Sequence, residues 1–439
     1  AEALGSGAGG LVEIKAPEIT LGQDSEINIS ALRGTGDAGV LTLAGTTITA
    51  VNADIKGETF SEGKAADIAL TAEDITLTGT LINSSTEGVG AGGFIALSAD
   101  TISIDDGSAI ESDSFSSGDG GEIILSATSS FDLTNARIEA EALGSGAGGL
   151  VEIKAPEITL GQDSEINISA LSGTGDAGEL TIAGTSLILD NSLIATETLT
   201  DGNAGQVVLM ADTIVATDTI IQGETLGAGQ GADISLLASG ISLTESIIDS
   251  STLGPGAGGF IRLSGSTLLI DGSTLITETE GTGRGGTIFI AVDQMDILNQ
   301  GNLNGRSIGG SGDAGSISIA TRELNIDNGL ITLITTTSGS GGDLVIDTGT
   351  FRLNQSTLSA SANSDGNAGR IDITADAGTL LNNSVISSDT TGSGVGGDIL
   401  IEANLLGIFS EAVISSSATG VSDAGDITLI VPDTLQIVR

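Results

Sequence analysis

The chain has 439 residues, with 13 Lys+Arg against 58 Asp+Glu for a formal net charge of −45, and it contains no His, Cys, Trp or Tyr. That inventory excludes the usual zinc, haem and iron–sulfur ligands, the Ser-His and Cys-His nucleophile pairs, and nucleic acid as a direct partner, since 13 scattered cations cannot neutralise phosphates. It also removes the rings on which sugars and bases usually stack.

A Gly-x-x-Gly element recurs along the whole chain. Its first Gly falls at 7, 36, 63, 90, 118, 146, 175, 202, 229, 256, 283, 312, 339, 366 and 394, with Ser422 in its place last, at spacings of 27 to 29. Sixteen units therefore fit, the last incomplete, starting near 5, 34, 61, 88, 116, 144, 173, 200, 227, 254, 281, 310, 337, 364, 392 and 420. Residues 1–39 match 140–178 at 38 of 39 positions, Arg33 against Ser172 being the difference. That offset is five units, so 1–139 and 140–278 form a duplication. Length alone would suggest about three domains at ~150 residues each. The uniform character predicts one continuous array over 1–439 instead.

Each unit reads as three strands. After the Gly element, apolar residues alternate with others: Val12 and Ile14, Leu41 and Leu43, Ile68 and Leu70, through to Ile427 and Leu429, which predicts a strand with one buried face. A second pair follows about five residues on, such as Ile19 and Leu21 or Leu324 and Ile326. Then comes a polar corner, as in Asp271-Gly272-Ser273 and Asn382-Asn383-Ser384, built from residues that tolerate left-handed backbone. The third strand carries one large apolar residue and then small ones, as in Ile194, Thr196 and Thr198. No segment shows a helical apolar face, and sandwiches do not keep register over sixteen units. The pattern predicts an all-β fold, a parallel β-helix or β-solenoid with three strands per coil. Equivalent strands would then stack at ~4.8 Å, and fifteen steps would give a rod of about 70 Å.

Like charges stacked at that spacing would repel. After the first Gly of each unit, Asp never occupies two consecutive coils: Asp37, Lys64, Ala91, Asp119, Ala147, Asp176. One file over, Asp343, Arg370 and Asp398 are expected to stack as anion, cation, anion, while Asp398 followed by Asp426 has no such relief.

Several motifs carry no chemistry here. Gly5-Ser6-Gly7-Ala8-Gly9-Gly10 satisfies a dinucleotide fingerprint, but the pattern recurs and a strand follows, so it reads as a tight corner. Calcium-binding nonapeptides repeat every nine residues, not every 27 to 29. The even coil length leaves no long insertion to wall a catalytic cleft, so an enzyme is not expected. Thr335, Thr336 and Thr337, or Thr277 and Thr279, read as outward Thr files like those of ice-binding solenoids, though other coils put Ser, Ala, Glu or Ile there. Catalytic, cofactor-binding and metal-ligating residues are accordingly assigned to none of the positions. The expected charge density, one per ~1.6 Å, approaches that of duplex DNA, which predicts a diffuse divalent-cation atmosphere, calcium included, that favours side-by-side association. There is no leader at Ala1 and no run of 18 apolar residues, so a membrane-embedded segment is not expected.

Stretches such as Gly366-Asn367-Ala368-Gly369-Arg370-Ile371-Asp372-Ile373 and Gly312-Asp313-Ala314-Gly315-Ser316-Ile317-Ser318-Ile319 resemble the repeats of filamentous-haemagglutinin-like exoproteins of two-partner secretion, found in Gram-negative bacteria including cyanobacteria. The resemblance covers the whole chain. It implies a right-handed coil, export through an outer-membrane secretion partner, and a place at the cell surface in adhesion, aggregation or biofilm. That family's amino-terminal secretion domain, with its NPNG-like motif, has no counterpart here. Open coil edges at both ends predict copies of the chain stacking end to end, or an interior piece of a longer protein.

The expected function is therefore structural: an extracellular anionic rod serving as surface filament, matrix component or adhesin stalk. The alternative is an adhesin that binds surface polysaccharide or a receptor along one face. A polysaccharide-active β-helix enzyme comes third.

Overall fold

The computed structural model describes every residue except 1, 6, 61 and 439. The predicted unit start near 61 and the two ends of the predicted array lie outside the described residues. The described chain is all-β, with no helix, and its parallel strands stack as a β-solenoid of about 16 turns. It divides into two compact units, Ala1–Ile214 with Thr219–Gly223, and Val215–Asp218 with Glu224–Arg439.

In the first unit the buried file runs in register through Leu41, Ile68, Ile95, Ile123, Val151 and Leu180. In the second it runs through Ile234, Ile261, Ile288, Ile317, Leu344, Ile371 and Ile399. Both members of the predicted first-strand pair are buried in every coil except the outermost, where Val12, Ile14, Ile427 and Leu429 are more exposed. Each inward side chain sits on its counterpart one coil away, so volume changes are felt by two neighbours at once.

The first two strands of a coil are separate where their junction carries Pro17 or Pro156, whose missing N–H breaks the ladder. They are also separate in coils without proline there, as at Val40–Ala44 and Thr47–Val51, and fuse in others, as in Phe94–Asp105, Ser316–Asp327 and Ile371–Leu381. Between Phe94–Asp105 and Glu122–Thr134 the register slips by one residue past Ala99, absorbing the longer coil.

At the polar corner, Asn52, Asn135, Asn191, Asn328 and Asn382 all have φ near +50°, the left-handed conformation expected there. Side-chain ladders tie successive corners: the Asn299 Nδ2 amide donates to Asp271 Oδ1 at 2.6 Å, and Asn354 Nδ2 to Asp327 Oδ1 at 2.8 Å.

The glycines of the other corner answer a different need. A Cβ at Gly90, Gly118 or Gly146 would overlap the carbonyl oxygen of the equivalent glycine one coil earlier. Most of these glycines keep negative φ, so close approach, not backbone freedom, requires them. Ala66 and Ala232 replace the second Gly in two coils.

The charged files at this corner work by a route the spacing did not reveal. Asp119 Oδ1 accepts the backbone N–H of Ala147 one coil on, at 2.8 Å, and Asp313 Oδ1 accepts that of Ser340 at 2.7 Å. Asp343 likewise accepts the Arg370 N–H, while the Arg370 side chain turns to Asp372 on its own strand at 2.7 Å. The three residues do stack in one file, as expected, but the guanidinium pairs sideways rather than with the aspartates above and below. Asp398 and Asp426 also find relief, since the Asp426 N–H donates to Asp398 Oδ1 at 2.8 Å.

The outward Thr reading is overturned. Thr277, Thr279 and Thr335 are fully buried, and only Thr336 of those singled out is well exposed. Alternation continues past the third strand, which turns every second small residue inward under the glycine corner. There the Thr59 and Thr335 hydroxyls donate to the Gly63 and Gly339 carbonyls at 2.9 and 2.8 Å.

Candidate functional site

The third strands Ala109–Glu111 and Arg137–Glu139 pair in register. Ile110 and Ile138 face inward, so their neighbours face out, and the alternation persists beyond the strand because Ser112 and Ala140 are again buried. Four outward files result: Ala109 over Arg137, Glu111 over Glu139, Asp113 over Glu141, and Phe115 over Leu143.

Two coils therefore place four carboxyl groups and one guanidinium on one patch. The oxygens of Glu111, Asp113 and Glu139 lie within 4.8 Å of one another, a spacing that ligands of one hard divalent cation would share. Arg137 already stands among them: its Nη2 pairs with Glu111 and its Nε with Glu139 at 3.1 Å. The sequence reading assigned metal ligands to no position and did not single out this cluster.

This patch also corrects the expectation that like charges avoid each other down a file. Glu111 is directly opposite Glu139, and Asp113 precedes Glu141. Relief comes from Arg137 and from protonation. Burial, only partly offset by the Glu141 N–H that Asp113 accepts at 2.8 Å, pushes Asp113 up to about 7. Burial and then the neighbouring Asp113 push Glu141 up to about 8. Burial raises Glu139 as well, against the pull of Arg137. In the second unit, burial foremost, opposed by a hydrogen bond from Ser251 and reinforced by Glu224, pushes Asp249 up to about 7.

The Asp113 position has a structural duty that explains its place. In several coils of this file a Ser hydroxyl oxygen accepts the N–H of the following coil: Ser30 for Glu58, Ser85 for Asp113, Ser169 for Glu197, each at 3.0 Å. Asp113 does the same for Glu141. Sequence reasoning missed the cluster because the third strand was followed only along its inward face. The signal was there: an acid at i and i+2 in Glu111-x-Asp113, repeated 28 residues later in Glu139-x-Glu141.

A pH dependence follows. The unfolded chain releases these protons near pH 4, whereas the folded chain holds them until pH 7 to 8. The folded state binds more protons between those values, so stability is full below about pH 4 and declines as pH rises through 8. Urea midpoints are expected to fall between pH 5 and pH 9. The fall should be clearly shallower in the Asp113→Asn, Glu141→Gln variant, and equal slopes for the two proteins would refute the assignment.

Other concavities include open grooves, one of about 400 Å³ lined by Asp296, Glu323, Asn325, Phe351 and Arg352, and one of about 610 Å³ lined by Arg284, Asp343, Arg370 and Asp398. No family model matches this chain, and neither a curated protein nor a solved structure matches it.

Proposed function

We propose that the protein is an extracellular structural component, a surface filament or matrix subunit or the stalk of an adhesin, whose work is mechanical rather than catalytic. The observation that carries this reading is the equivalence of the coils. Within each unit every turn repeats the same buried file, the same left-handed polar corner and the same close-packed glycine corner. Stability built from many similar nearest-neighbour interfaces suits a load-bearing array. The resemblance to filamentous-haemagglutinin-like repeats supports the same reading and, with it, export through an outer-membrane partner.

The net charge of −45 adds an expected response to ions. Divalent cations screen the repulsion between copies and bring them side by side or end to end. In micrographs of the concentrated protein, millimolar calcium should produce bundles or fibres that chelator disperses, with a rise in melting temperature. Monodisperse particles under both conditions, with melting indifferent to calcium and to salt, would overturn the structural reading.

A further inference from the structure

The outermost of the four outward files is apolar through most of the first unit. Phe60, Phe115, Leu143, Leu171 and Leu199 occupy it, with Leu4 and Leu32 in the first two coils and Glu87 the single interruption. Their register is given by the backbone: the Phe115 N–H donates to the Thr86 carbonyl, Leu143 to Ser114 and Leu171 to Ala142. Phe60 and Phe115 are each 47% exposed and Leu199 46%. The buried file one residue earlier (Thr59, Thr86, Ser114, Ala142, Ala170, Thr198) needs a small residue in each coil. The outward file has no such internal duty, so a recurring Leu or Phe there is not explained by the packing of the coil. Large apolar side chains stacked in one file, Phe60, Phe115 and Leu199 about half exposed, exceed what isolated surface leucines produce.

Beside it, two residues back along the chain, runs the file that holds Glu58, Asp113, Glu141 and Glu197, and beyond that stand Glu111 and Glu139. The apolar file thus runs beside a file in which carboxylates are interspersed with Ser30, Ser85 and Ser169, over eight coils or about 34 Å at ~4.8 Å per coil.

We propose that this face is a docking surface for a cationic amphipathic helix of another protein. A helix rises 5.4 Å per turn, near the coil spacing, so a helix of about 22 residues, about six turns, would lay an apolar stripe along the Leu and Phe file and set basic side chains against the carboxylates that recur on the neighbouring files. A second copy of this chain is a poor occupant, since it would bring a further charge of −45 against the acid file. An anionic lipid surface is disfavoured by the same repulsion. The inference does not depend on the mechanical role proposed above.

The test uses the full chain and three labelled synthetic 22-residue helix-forming peptides: one with a Leu stripe flanked by Lys, one with Ser replacing Leu, and one with Glu replacing Lys. Fluorescence anisotropy should show saturable binding of the Leu–Lys peptide alone, weakening as salt rises. The half-exposed changes Phe60→Ser, Phe115→Ser and Leu199→Ser together should weaken it at least tenfold, and Glu58→Gln with Glu197→Gln several-fold, with circular dichroism unchanged. Equal binding of the Ser–Lys peptide to the unaltered chain would reduce the face to a nonspecific polyanion and overturn the proposal, whatever the variants do. Self-association or binding to anionic vesicles that the triple Ser variant abolishes, without Leu–Lys peptide binding, would overturn it in favour of a second copy or a lipid surface.

Discussion

Ile317→Asp is expected to destabilise the protein by about 3–5 kcal/mol, the cost of an uncompensated charge in a packed interior. Ile317 is 1% exposed and stacks between Ile288 and Leu344, with further isoleucines and leucines continuing the file on both sides. Neither neighbour offers a donor, and alternation aims the side chain away from water. Its neighbour Ser318 faces outward between Phe289 and Val345, so Ser318→Asp should cost less than about 0.5 kcal/mol. Urea titration of the two variants separates the cases. Similar midpoints for both would mean that alternation does not set the buried face.

Gly118→Ala is the second large effect, expected at about 1–3 kcal/mol although it adds a single methyl. The new Cβ would overlap the Gly90 carbonyl oxygen one coil earlier, which is fixed by the backbone and cannot swing aside. The change can be accommodated only by prising two coils apart. Gly22→Ala provides the comparison, since a Cβ there meets nothing within 4 Å and the backbone keeps ordinary φ. It should be neutral or slightly stabilising, through the lost freedom of the unfolded chain. Thermal melts giving the two substitutions the same shift would contradict the close-approach account of the glycine corner.

How far the fold was legible can be judged residue by residue. Leu41 and Leu43, or Ile371 and Ile373, announce a buried strand face because large aliphatic side chains at period two have one sensible destination. Asn382-Asn383 announces a left-handed corner for an equally local reason. Thr277 and Thr335 were misread because threonine suits water and interior alike, and the inward turn of the small residues past the third strand decides; the Thr335 hydroxyl also finds an acceptor there. The acceptor is a carbonyl of the glycine corner four residues further along, as Gly339 is for Thr335, and no local pattern marks it.

The candidate site failed to emerge for a related reason. Glu111 and Glu139 are far apart in the chain, and only the coil register makes them neighbours. Burial then alters their behaviour: Asp113 and Glu141 are 4% and 8% exposed although they point outward, which composition cannot foretell. The apolar file of Phe115 and Leu143 was readable by carrying the alternation past the third strand. It was overlooked because surface leucines are common singly and become meaningful only when stacked.

The stacking itself is open to direct measurement, since a chain without cysteine accepts spin labels cleanly at introduced ones. Thr42, Ala69, Ala96, Ile124, Glu152 and Thr181 are successive partners on one outward file of the first unit. With one label at Thr42→Cys and the second at Ile124→Cys, Glu152→Cys or Thr181→Cys, electron–electron distances should lengthen by about 4.8 Å per coil, three, four and five steps away. Distances that fail to grow in even steps of about that size would contradict one winding per glycine-bearing period.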